Sequence, residues 1–180
     1  MRQYQGVIDF WFNEIEPKSW WIKDDVFDAE ILQRFGTLHT AASRCECHAW
    51  REAPLGRLAE IIVLDQFSRN LYRDQPLAFA CDPLSLALAQ EAVAQQADQS
   101  LAPPQRAFLY MPYMHSESSA IHKIAVTLFE QSGMKSNLEF ELKHQAIIDR
   151  FGRYPHRNTV LGRESTAEEI EFLQQPGASF

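Results

Sequence analysis

The chain has 180 residues, 46% of them hydrophobic and 23% charged. That balance suits one buried core and excludes a disordered chain or a collagen-like fibre. Acidic residues outnumber basic ones by 24 to 17, for a net charge of −7, which argues against general nucleic-acid binding but leaves room for a local basic site.

Helical periodicity dominates the chain. Val7, Ile8, Trp11 and Phe12 form a first apolar stripe at helix spacing. Pro17 and the Trp20-Trp21 pair mark a turn with aromatic cover. Val26, Phe27, Ile31, Leu32, Phe35 and Leu38 form a second stripe, with Asp24 or Asp25 as its N-cap and Gly36 inside it. Pro54 opens a helix running to about residue 72. Asp82-Pro83 signals another start, with Asp as cap and Pro in the first turn, and residues 84–97 continue it. Pro103-Pro104 begins a helix that the pattern ends near Pro112. Residues 115–131 and 138–151 give two more. Residues 152–163 read as irregular because of Gly152, Pro155 and Gly162. Ser165 with Glu168, or Thr166 with Glu169, fits a capping box before Ile170, Phe172 and Leu173. The reading is all-α, with about eight helices stacked as antiparallel pairs in one domain over residues 1–180, and no significant β-sheet.

No apolar signal region follows the first residues, and the longest aliphatic run, Ile61-Ile62-Val63-Leu64, is too short to span a bilayer. A cytoplasmic protein with no membrane contact is expected. Cys45, Cys47 and Cys81 are too few for a disulfide framework. Cys45-x-Cys47-His48 lacks the second ligand pair that a structural zinc needs. Neither a metal nor a cofactor is expected.

The basic residues are uneven: twelve are Arg and five are Lys. On the helix after Pro54, the residues Leu58, Ile62, Asp65 and Arg69 fall in one wedge at 100° per residue, so Asp65 and Arg69 continue a core-facing row. They read either as a buried ion pair or as the lip of a pocket that also presents Asn70. The stretch from Phe151 to Asn158 holds Arg153, His156 and Arg157 in a loop, flanked by Arg150 and Arg163. Guanidinium forks there suit a carboxylate or phosphate, or they pair with surface carboxylates. Asp65-x-Phe67-x-Arg69-Asn70 is echoed by Asp149-x-Phe151-x-Arg153 and by Arg157-Asn158, which suggests two helix ends meeting at one site. A third stretch, Met111 to Glu117, puts His115, Ser116 and Glu117 at a helix junction. Ser116 and Glu117 have ordinary first-turn explanations; His115 does not. His144, on an apolar face with Phe140, Ile147, Ile148 and Phe151, reads as a core histidine. Walker, dinucleotide-binding and nucleophile-elbow patterns are missing, and Ser116 cannot face the adjacent His115 as a triad would require.

These motifs together resemble the bacterial family catalogued as domain of unknown function 924. The resemblance rests on Leu64-Asp65-Gln66-Phe67-x-Arg69-Asn70, on Met111 to Glu117, and on Arg150 to Asn158. It extends through Trp11-Phe12, Phe27-Asp28, Leu161-Gly162-Arg163-x-Ser165-Thr166 and Glu169-x-x-Phe172-Leu173. It implies a fold similar to tetratricopeptide-like helix stacks and brings no activity. The family pattern usually has Pro at the position of Ser68 and an acid at that of Ser118, so no role for an acid at 118 carries over.

Three functional readings follow. In the first, Asp65, Arg69, Asn70, Glu117, Arg153, Arg157 and Asn158 bind a small phosphate- or carboxylate-bearing ligand, with His115 and His156 as acid or base. The second is a protein-interaction module, by fold analogy. The third is a metal-dependent hydrolase using His115, Glu117, His144 or His156, although their spacing matches no ligand pattern. A wholly structural network of the same residues is the alternative to all three. A closed pocket favours the first and an open groove the second.

Overall fold

Nine α-helical segments, two wide π turns and several 3-10 turns succeed one another with no strand among the described residues. The computed structural model describes residues 3–131 and 133–178. Helix α1 (Gln3–Asp9) passes into a π turn, Phe10–Glu14, and α2 spans Asp25–Ser43. Asp24 starts α2 by accepting from the backbone N–H groups of Val26 and Phe27, as its position suggests. The buried face of α2 is Ile31, Phe35, His39 and Ala42. Val26 and Leu32, read as part of the apolar stripe, are 80% and 61% exposed. Leu32 lies one residue, about 100°, around the helix from Ile31, so it falls off the face that Ile31 and Phe35 define.

The expected helix from Pro54 is one continuous helical run in three parts. These are α3 (Pro54–Ile62), a π turn (Val63–Phe67) and α4 (Ser68–Leu71). Its middle is apolar on nearly every side, and Leu58, Ala59, Ile61, Ile62, Val63, Leu64 and Phe67 are all buried. Glu60 is buried among them, held by two 2.7 Å bonds from Arg51. Gly56 is required by proximity: a Cβ there would lie 2.1 Å from the Trp50 carbonyl oxygen.

Helix α5 (Asp82–Ala94) and α6 (Pro103–Met114) follow. The cap of α5 falls on Cys81, with Pro83 in the first turn, and the Asp82 side chain is engaged elsewhere. Helix α6 does not stop at Pro112 but runs two residues further. A proline there removes one N–H so near the end that only the last turn loses a bond. The segment Pro76–Ala94 is long and apolar enough to cross a membrane by length and composition. Here it contains a 3-10 turn (Pro76–Phe79) before α5, and α5 buries Ser85, Ala89 and Ala92 while packing on α3 and α6.

Helices α7 (Ser119–Phe129) and α8 (Lys135–Phe151) pack on one another and α7 packs on α6. Between them, His122 and Glu141 form a fully buried pair at 2.6 Å. Gly152, at φ 69°, ends α8 in the left-handed conformation and returns its N–H to the Ile148 carbonyl. Of the two capping boxes read from the sequence, the one that forms is Thr166 with Glu169, and it opens α9 (Ala167–Leu173). The main core joins α1, α3 and α6, with an aromatic cluster of Phe10, Trp11, Phe35, Phe67 and Phe108. A small second core gathers Ile147, Ile148 and Tyr154 under Phe151 and Phe172.

Candidate functional site

The π turn sets the first side of the site. A wide turn disturbs the regular i to i−4 ladder, and two carbonyls in it accept side-chain donors instead. Ser68 Oγ donates to the Leu64 oxygen at 2.6 Å, and Arg69 Nη1 donates to the Asp65 oxygen at 2.8 Å. Asp65 is buried, its Oδ1 3.4 Å from Arg69 Nη1 and its Oδ2 accepting from Gln66 Nε2 at 2.6 Å. Burial pushes this carboxyl up. His115 and Arg69 outweigh it, and the group is held well below the usual carboxylate range.

The second side comes from the junction between α6 and α7. His115 Nδ1 lies 2.8 Å from Asp65 Oδ1. An ionised carboxylate only accepts, so Nδ1 carries the hydrogen and Nε2 keeps the lone pair. Burial, and then the Arg69 guanidinium, lower the His115 pKa; Asp65 pulls the other way without winning. The imidazole is therefore neutral at pH 7, with an oriented basic nitrogen.

The third side is Asp82 and the loop after α8. Arg69 holds Asp82 through two bonds of 2.9 and 3.0 Å. Arg157 also reaches Oδ2 of this carboxylate, at 3.3 Å, and donates to the His115 carbonyl at 3.0 Å. Its guanidinium lies between the Phe79 and Tyr154 rings, 4.5 and 4.7 Å from their centroids. The side chain is only 7% exposed, and its Nε is buried without a hydrogen-bond partner. Burial and the neighbouring Arg69 lower its pKa. Glu117 is gripped by Arg163 at 2.7 and 2.9 Å and accepts from the Tyr154 N–H at 2.7 Å. Those bonds overcome burial and hold it ionised.

Three carboxylates, Asp65, Asp82 and Glu117, thus face three guanidiniums, Arg69, Arg157 and Arg163. The arginine cluster is a matched set rather than a positive excess, and Arg157 is its most weakly paired member. Asp82, His115, Ser116, Glu117 and Arg157 line a cavity of about 440 Å³, together with apolar residues that include Phe79, Leu86 and Leu161. A second hollow of about 380 Å³, bordered by Arg34, Glu46 and Trp50, holds none of the expected site residues.

The expected residues do not all meet. His115, Glu117 and Arg157 line this cavity, and Asp65 and Arg69 stand behind it, bonded to His115 and Asp82. Arg153 and Asn158 do neither. Arg153 clamps Glu169 with bonds of 2.7 and 2.9 Å, and Asn158 joins Ser165, Glu169 and Arg163. Both tie the irregular loop to α9. Asn70 turns away to Asp28, which Arg73 also holds. His156 packs on Tyr154 at 5.5 Å between ring centroids and is not part of the cavity lining. Burial, and then Arg157, bring its pKa down to about 4. His144 is a buried core residue, as its apolar face suggests, with Nδ1 bonded to the Phe140 carbonyl at 2.8 Å. The echo between the two Arg-Asn motifs is half realised: Arg69 and Arg157 meet at Asp82, while their asparagines part. Sequence reasoning missed Asp82, whose position before Pro83 has a full local explanation as a cap. It also missed the Tyr154 backbone as a partner of Glu117, for which no sequence signal exists. Among the described residues, no group of three or more His, Cys, Asp or Glu side chains is gathered as a metal ion would need.

Residues 7–177 match the model of a family described as bacterial protein of unknown function (DUF924). A solved protein of unknown function from Agrobacterium tumefaciens is similar at 37% identity and a TM-score of 0.91. The alignment covers 95% of this chain and 96% of that one. No curated protein matches the chain.

Proposed function

The chain belongs to the bacterial DUF924 family of unknown function, and within it we propose that the 440 Å³ cavity binds a small ligand carrying a carboxylate or phosphate group. The observation that carries this reading is Arg157. It is a guanidinium at the cavity wall whose carboxylate contact, 3.3 Å to Asp82, is long and shared with Arg69, and whose other bond goes to the neutral His115 carbonyl. An anion arriving there gains a charge-assisted bond and relieves a cation that its surroundings disfavour. Beside it, His115 Nε2 is a neutral base oriented by Asp65. That is the arrangement a general base needs to take a proton from a bound substrate or water. Acid–base work in this reading falls to His115; His156 is outside the cavity lining.

The same reading includes a cytoplasmic setting, supported by three free thiols that suit a reducing compartment. It also includes a tetratricopeptide-like stack, supported by α6, α7 and α8 packing on one another in sequence order. The test is thermal unfolding with a panel of small carboxylates and phosphate esters. We expect a rise in Tm for the wild type and for Arg153→Ala, whose side chain serves Glu169, and no rise for Arg157→Ala. No shift with any compound, or equal shifts in Arg157→Ala, would overturn the proposal.

A further inference from the structure

Resting on that reading, we infer that the ligand is an amphipathic monocarboxylate, a carboxyl group on a short aliphatic or aryl chain. Two observations carry this. The first is the charge around Arg157. Asp82 and Glu117 border the same cavity as carboxylates. A phosphate monoester would bring nearly two negative charges to one guanidinium and two existing anions, whereas a carboxylate brings one and matches the planar donor fork.

The second is the distribution of wall chemistry. The polar groups form one connected patch: Arg157 bonds both Asp82 and the His115 carbonyl, and Ser116 and Glu117 follow His115 in the chain. The rest of the lining is apolar, with Pro76, Phe79, Ala80 and Leu86 on one segment and Pro112 and Leu161 on others. A sugar or other polyhydroxylated ligand would leave its hydroxyls against these residues without partners. A hydrocarbon chain would bury there instead. The cavity, about 440 Å³, has room for a carboxyl group with a chain of several carbons or one ring.

Each buried methylene strengthens binding about fourfold, so chain length is the readout. Calorimetric titration of the full chain would compare acetate, hexanoate, 1-hexanol and inorganic phosphate. The variants Leu86→Asn and Leu161→Asn, at partly exposed wall positions, would be measured beside the wild type. We expect hexanoate to bind at least tenfold more tightly than each of the other three probes, and both variants to lose most of the gain from acetate to hexanoate. Acetate or phosphate binding as tightly as hexanoate would overturn this inference and leave the anion site standing. So would a chain-length gain that persists undiminished in both variants. Hexanol matching hexanoate, or no binding by any probe, would overturn both the amphipathic reading and the anion site beneath it.

Discussion

A buried carboxylate has about four lone-pair positions to satisfy, and Asp65 meets its need through His115, Gln66 and Arg69. Each partner has a different consequence. Gln66 fixes the carboxylate plane, Arg69 neutralises its charge, and His115 is oriented by it. Removing the charge alone should therefore be costly. Asp65→Asn is expected to lower stability by about 2–4 kcal/mol, less than the complete loss of a buried partner because Arg69 keeps Asp82. Urea unfolding measures this. The same variant should lower the His115 pKa further, since Asp65, ahead of Asp82, is the main group that raises it, and a histidine ring-proton titration by NMR reads that shift. A loss below about 0.5 kcal/mol would mean that Asp65 is not the anchor the geometry makes it. The i,i+4 relation of Asp65 and Arg69 was legible in the sequence because it is local. The bond to His115 was not, since it joins residues 50 positions apart.

Within single helices, the apolar pattern located each segment well, and its errors have local causes. The stripe on α2 was drawn too wide because apolarity alone does not say which neighbour covers a residue. Pro112 reads as a stop, yet a proline in the last turn costs only one bond, so α6 continues to Met114. The π turn at Val63–Phe67 has no signature in the periodicity, because a run that is apolar on all sides has no face to shift. Its physical trace is the pair of i−4 side-chain bonds from Ser68 and Arg69. Ser68 also receives His39 Nε2 at 2.7 Å, a contact that a proline at this position could not make. The tightest element contact in this run is at Gly56, under the Trp50 carbonyl. Gly56→Ala forces backbone rather than a flexible side chain to move. We expect a loss of about 1–3 kcal/mol by urea unfolding, opposite in sign to the gain an alanine gives in an open helix. A neutral or stabilising result would show that α3 and the turn His48–Glu52 slide apart freely.

Across the molecule, four histidines share one electrostatic fate. Burial lowers the pKa of His39 and His115, brings His156 down to about 4 and His144 down to about 3. All are neutral in the folded state near pH 7, whereas unfolded histidines titrate near 6.5. Folded pKa values below the unfolded one mean that unfolding takes up protons as pH falls. The histidines' contribution is complete above about pH 6.5 and declines from there toward pH 4 and 3. Glu141, raised by burial, opposes this. We expect stability to drop by at least about 2 kcal/mol between pH 7.5 and pH 5.0, from up to about 1.4 kcal/mol per proton and pH unit. Urea midpoints at the two pH values decide it, and equal midpoints would contradict the buried, neutral histidines. The sequence by itself determined an all-α chain, its helix starts near Asp24 and at Pro54 and Pro103, a closing capping box at one of two overlapping positions, and two motifs, Met111 to Glu117 and Arg150 to Asn158, that supply residues to the cavity. Periodicity, capping and proline geometry act over a few residues and are written locally. The tertiary structure decided which carboxylate each arginine meets. Arg69 and Arg157 converge on Asp82 across 13 and 75 positions, while Arg153 goes to Glu169. An ion pair depends on distance in space and on shared burial, and no spacing along the chain encodes either.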